Sequence, residues 1–173
     1  MARSKIASLM QGSDRRSIGR SAEVVKLVLR EPRDFRELIR CLWSEDPVVR
    51  MRAADAAEKV SAKKPRLLDR YKSELLGLLA EVKQIELRWH LALMIPHLRL
   101  SARERQRAAA ALQNYLDDRS SIVKTFALQG LADLAGNDAG LRDKVQELLE
   151  DAVQSGTPAM KARARKLLKK HKG

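Results

Sequence analysis

Apolar residues recur along this chain at the three-to-four-residue spacing of helices and hardly anywhere at the alternation of strands. With Val49 as an origin, small or apolar side chains follow at Ala53, Ala56, Ala57 and Val60. The same offsets from Leu87 give Leu91, Met94, Ile95 and Leu98, and from Val123 they give Ala127, Gly130, Leu131 and Leu134. From Met160 they give Ala164, Leu167 and Leu168, with His171 the one polar member. The origins lie 38, 36 and 37 residues apart. One amphipathic helix would show these offsets alone. Four in near-equal register predict a repeat.

A second set of stripes lies between the first. Phe35, Leu38, Ile39 and Leu42 form one; Leu68, Tyr71, Leu75, Leu78 and Leu79 the next. Ala108, Ala111, Leu112, Tyr115 and Leu116 form the third, and Leu141, Val145, Leu148, Leu149 and Ala152 the fourth. Each repeat therefore reads as helix A, a short turn and helix B. Breakers sit in the turns at Glu45-Asp46-Pro47, Asp117-Asp118 and Gly156-Thr157-Pro158. Ser101 followed by Glu104 is a capping-box pattern, and Gly136-Asn137 is a helix-closing pair. A further helix over about 21–30, ending before Pro32, precedes the first pair and is expected to cover its end. Pro96 interrupts the second B stripe and predicts a break there, because proline lacks a donor and clashes one turn back.

The stretch Asp46-Pro47-Val48-Val49-Arg50-Met51-Arg52-Ala53-Ala54 resembles the start of a HEAT-repeat second helix, and Ile122-Val123-Lys124 through Leu134 is similar. The resemblance spans about 33–172. It implies an all-α, right-handed α-α superhelix (an armadillo-like α-solenoid) of about four helix pairs plus an N-terminal helix. Residues 1–20 are expected to be a basic, flexible segment and 21–173 a single domain. Stacked pairs bury a shared apolar seam that no pair hides alone.

Charge changes the picture at the two ends. The 173 residues carry a formal net charge of +13. Residues 1–33 hold eight Lys or Arg against three acids, and residues 161–173 hold seven against none. The middle is nearly balanced, so the basicity describes the ends, which attract polyanions or keep a helical body in solution. One cysteine excludes an intrachain disulfide and fits a reducing, cytoplasmic compartment. No apolar run is long enough for a transmembrane helix, and none near the N-terminus suits a secretory leader.

The residue after each B-helix origin is basic: Arg50, Arg88, Lys124 and Lys161. In HEAT proteins, as the resemblance implies, such a residue bonds an acid at a preceding turn, and Asp46 and Asp118 are available. The competing reading is a cationic stripe for phosphates or acidic peptides. Arg52, Trp89, His90 and Thr125 are expected to point outward into a groove lined by B helices. Arg165 and Lys169 belong to the last helix, whose apolar stripe is ringed by cations. His90 and His97 with one Cys supply no convincing zinc set. Cys41 reads as a small core residue. No catalytic residue, cofactor or metal is assigned.

These features predict a non-enzymatic scaffold that binds a protein or peptide. The alternative is salt-sensitive, sequence-nonspecific nucleic-acid binding through the basic ends. Bacterial alkylpurine DNA glycosylases also resemble stacked HEAT-type repeats. This chain has two Trp, two Tyr and two Phe, and no Asp flanked by such aromatics, so an enzyme ranks last.

Overall fold

The chain's regular elements follow its capping chemistry. In the computed structural model, which describes residues 5–136 and 138–171, every regular element among the described residues is helical. They are α1 (Lys5–Met10), α2 (Ser21–Arg30), α3 (Phe35–Arg40), α4 (Pro47–Lys63), α5 (Lys72–Glu81), α6 (Ile85–Met94), α7 (Ala102–Asn114), α8 (Ser121–Ala135), α9 (Ala139–Ser155) and α10 (Pro158–His171), joined in places by short 3-10 turns. No helix among the described residues is long and apolar enough to cross a membrane.

The B helices begin two residues before each origin, with the cap residue one position earlier. Asp46 caps α4 by accepting the Val48 amide at 2.8 Å, and Ser120 caps α8 through the Val123 amide at 3.4 Å. Thr157 accepts the Met160 amide at 3.3 Å at the start of α10. Each cap satisfies an amide that the first turn leaves orphaned. Ser101 and Glu104 form the expected capping box on α7.

The chain divides into two compact units, Met1–Lys72 and Ser73–Gly173. In the first, Met10, Val24, Val28, Leu38, Ala53, Ala57 and Val60 are fully buried. Helix α2 packs along α4. Ser21 at its start donates to the Asp55 carboxylate, and Lys64 just past α4 donates to the Leu29 carbonyl at 2.8 Å. Start meets middle and end meets end, so the two helices run parallel with partners 34 and 35 residues apart.

In the second unit α6, α8 and α10 pack in succession. The Trp89 and Phe126 rings lie 5.2 Å apart, and a methyl on Gly130 would overlap the Ala92 carbonyl. These partners are 37 and 38 residues apart, so α6 and α8 are parallel and close. Ser121 and Thr157 share a 2.6 Å hydrogen bond, and Arg163 donates to Gln129 at 3.1 Å, which makes α8 and α10 parallel too. Helices α7 and α9 pack on α8. Arg105 joins α7 to the α9 cap residue Asp138 at 2.9 Å. The Tyr115 hydroxyl donates to the Leu79 carbonyl at 2.5 Å.

Several expectations are revised. The stripe from Leu68 to Leu79 is not one helix: Pro65 opens a seven-residue 3-10 segment, and the α-helix starts only at Lys72. Pro96 ends α6 after ten residues, yet Ile95 and Leu98 stay buried through a 3-10 turn. Gly136 follows α8 with φ −54°, so it is not a left-handed terminator; Asn137 lies outside the described residues. Trp43 is 47% exposed.

From residue 5 onward the N-terminal segment packs on the first unit. Ile6 and Met10 of α1 are buried in the core. Residues 10–17 converge on the Arg52 guanidinium, which donates to the carbonyls of Ser17 at 3.0 Å, Gln11 at 2.5 Å, Asp14 at 3.2 Å and Met10 at 3.4 Å. Gly12 and Gly19 have φ of +153° and +54° and lie against that guanidinium. A Cβ on Gly19 would stand 2.7 Å from Arg52 Cζ. Glycine is needed there for both the backbone angle and the approach.

Candidate functional site

Side chains at the first position after each origin divide by length and partner. Arg50 donates from Nη1 to the Ser44 and Glu45 carbonyls at 2.6 and 3.1 Å. Arg88 donates from Nε to the Val82 carbonyl at 2.8 Å and forms an ion pair with Asp118. Its guanidinium also lies 5.0 Å from the Tyr115 ring centroid. Both arginines reach back six residues to close the turn before their own helix. Arg88 thereby ties the turn before α6 to the turn before α8, and both guanidinium groups are engaged within the chain. Burial pulls the Asp118 carboxyl upward. The Ser120 amide and Arg88 outweigh that pull and hold it below the usual carboxylate range.

Lys124 is half-buried at a cleft of about 270 Å³ that it shares with Asp151, Ser155 and Thr157. Lys161 is half-buried, while Arg165 and Lys169 are exposed on α10.

Three of the four residues expected to face outward do not. Arg52 is 5% exposed because residues 10–17 fold over it. His90 is 2% exposed and stacks on Trp89 with ring centroids 3.4 Å apart. Thr125 is buried, its hydroxyl donating to the Ser121 carbonyl one turn back at 2.7 Å. Trp89 is half-buried.

What Trp89 does is start a ladder. Its ring stacks with Phe126 of α8 at an interplanar angle of 26°. The Arg163 guanidinium of α10 lies 5.5 Å from the Phe126 centroid. Arg163 is held there by the Gln129 side-chain oxygen, while the Gln129 amide donates to Asp133 at 3.0 Å. The run Trp89–Phe126–Arg163 thus crosses three parallel helices in steps of 37 residues. A cation over an aromatic face contributes about 0.5–2 kcal/mol, the larger value when water is excluded.

Around this ladder α8 turns Ile122, Phe126, Gln129 and Asp133 to one side, at the i, i+4, i+7, i+11 spacing of a single face. Ile122 is 51% exposed and Asp133 is exposed. On α10 the corresponding face carries Arg163 and the exposed Lys166 and Lys170, at i, i+3 and i+7. From Pro158 to Lys170 this helix contains no acid. Lys170 lines a cleft between α8 and α10 together with Asp133 and Leu167.

Ile122, Phe126, Gln129, Arg163, Lys166 and Lys170 were not singled out as a set by sequence reasoning. A signal was present: Ile122 and Phe126 are an i, i+4 apolar pair lying outside the core stripe of α8. An apolar pair off the buried stripe has to be covered by something or left at the surface.

No three His, Cys, Asp or Glu side chains converge to hold a metal among the described residues. Cys41 lines a cleft of about 300 Å³ with Glu37 and Arg40. Burial, with Glu37 adding to it, pushes its thiol up to about 11, which keeps it protonated at neutral pH. No known protein family, curated protein or solved structure matches the chain.

Proposed function

We propose that this chain is a non-enzymatic binding scaffold of HEAT-like helix pairs that engages a protein or peptide on the face of α6, α8 and α10. The repeat reading is supported by parallel helices whose partners fall 34 to 38 residues apart. A superhelical stack is the arrangement such spacing favours. The observation that carries the binding role is Ile122. It is a large aliphatic side chain, half in water, one turn before Phe126 on the same face of α8. Burying such a side chain is worth about 1.5–3 kcal/mol, and an apolar patch rimmed by charge is the usual anatomy of a contact surface.

The test is photocrosslinking in cells. Benzoylphenylalanine at Ile122 should give discrete protein adducts, and the same probe at the exposed Glu147 of α9 should not. Equal adducts from both positions, or none from Ile122, would overturn the reading. A nucleic-acid role is favoured by one feature, the acid-free cationic surface of α10. It demands affinity that falls linearly with log salt, with a slope of about −0.9 per phosphate contacted on duplex DNA.

A further inference from the structure

We propose that residues 11–20 are a strap closed over an oxyanion site at Arg52, and that opening the strap lets this guanidinium take a carboxylate or phosphate from a ligand. The site lies in the first unit and is independent of the reading of α8.

The strap is anchored at its ends and weakly held between them. Ile6, Leu9 and Met10 of α1 are buried before it, and Ser21 and Val24 of α2 are buried after it. From Gln11 to Arg20 every residue is exposed except Ser17, which is half-buried. The stretch thus inserts no apolar side chain into the core, and it lacks the burial that holds the helices in place. What it covers is a cation, Arg52, at 5% exposure.

The acceptors of that cation are neutral. They are the backbone carbonyls of Met10, Gln11, Asp14 and Ser17. The strap's own carboxylate, on Asp14, accepts the Arg16 amide at 2.8 Å instead. Asp55, one turn along α4, accepts from Ser21, and from Lys59 at 2.8 Å. A buried charge is best met by an opposite one. An oxyanion adds a Coulomb attraction that a carbonyl lacks, and its paired oxygens match the planar guanidinium fork. The carbonyls it displaces turn to water, where Gln11 and Asp14 already lie.

Two glycines near the strap's ends suit it to move. Gly12 and Gly19 hold φ of +153° and +54°, angles that glycine enters and leaves at no steric cost, and hinges turn at a few such positions. Both also lie against the guanidinium. Residues 11–20 carry three arginines and one acid, so an anionic ligand gathers at the closed strap before it opens. Because the ligand and the strap compete for one guanidinium, binding and opening are linked.

The experiment uses the full chain with two probes, a hexaglutamate peptide and inorganic phosphate. In G12A/G19A a methyl on Gly19 would stand 2.7 Å from Arg52 Cζ and one on Gly12 would overlap Nη1. The strap opens while Arg52 remains. This variant should bind a probe at least about tenfold more tightly than the wild type, whose site is open only part of the time. Arg52→Ala opens the strap without supplying the fork, and should bind at least about tenfold more weakly than G12A/G19A. The wild type supplies a test that needs no variant to fold. At ten times the dissociation constant measured on G12A/G19A, the probe should raise hydrogen exchange of residues 11–20 about tenfold, with α8 unchanged. A rise with hexaglutamate alone assigns a peptide carboxylate, and a rise with phosphate alone assigns phosphate. Exchange of 11–20 that neither probe raises, or Arg52→Ala binding as tightly as G12A/G19A, would overturn the proposal and leave the reading of α8 as it stands.

Discussion

Replacing Arg52 by Ala removes the group on which the N-terminal segment converges. The guanidinium reaches four backbone carbonyls at 2.5–3.4 Å and is 5% exposed. A hydrogen bond from a charged donor contributes about 1.5–3 kcal/mol net, but only where the acceptor cannot turn to water. Gln11 and Asp14 are exposed, so their carbonyls rehydrate once the arginine is gone. At about 1 kcal/mol for each of the three shorter bonds, the loss is about 3 kcal/mol. That raises the opening equilibrium of residues 5–20 by about a hundredfold. Arg52→Lys keeps the charge but not the planar fork, and should recover only part of the loss. Hydrogen exchange read by mass spectrometry supplies the assay, with peptides from 5–20 compared with peptides from α8. Protection of 5–20 should fall about a hundredfold in the Ala variant, with α8 unchanged. Unaltered protection of 5–20, or an equal loss in α8, would show that Arg52 is not the organiser described.

Two further substitutions probe the second unit. Gly130→Ala should destabilise by about 1–3 kcal/mol in urea titration: alanine gains about 1 kcal/mol of helix propensity, but its methyl overlaps the Ala92 carbonyl and pushes α6 from α8. A neutral or stabilising result would mean that the close α6–α8 approach is wrong. Asp118→Asn tests the ion pair with Arg88. The folded carboxyl is held below its unfolded value, so its contribution is complete above about pH 4 and is lost as pH falls through the folded value. Melting temperature should therefore drop on acidification more steeply in the wild type than in Asp118→Asn, and parallel curves would remove Asp118 from the account.

The helices were legible because burial leaves a periodic trace. The B-stripe residues from Val49 to Val60 and from Val123 to Leu134 are buried as their spacing requires. Helix starts were legible for the same local reason, since Asp46, Ser101 and Thr157 act on amides two or three residues away. The 3-10 segment from Pro65 was less legible. Apolar residues at Leu68, Tyr71 and Leu75 fit an α-helical period, and a three-residue turn keeps nearly the same face over so short a run. The packing of the N-terminal segment on Arg52 was hidden for another reason. Its partner, Arg52, lies 35 to 42 residues away, and a polar stretch with two glycines carries no sign of a buried guanidinium beneath it.

The same limit applies to the faces of α4, α6, α8 and α10. Arg52, His90, Phe126 and Arg163 all stand three residues after their repeat origins, so a register taken from sequence treats them alike. Their surroundings differ. Over Arg52 lies the N-terminal segment, and over His90 the Trp89 ring. Phe126 takes Trp89 on one helix and Arg163 on another, and remains half-open. Periodicity fixes which helix face a position occupies, because that depends on 3.6 residues per turn. Whether the position is covered depends on the neighbouring repeat, whose side chain at the same offset differs in size and charge. Equivalent positions thus share a helix face but not a set of neighbours: Arg52 meets backbone carbonyls, His90 a Trp ring, Phe126 a ring on one side and a guanidinium on the other, and Arg163 a ring face and a carboxamide.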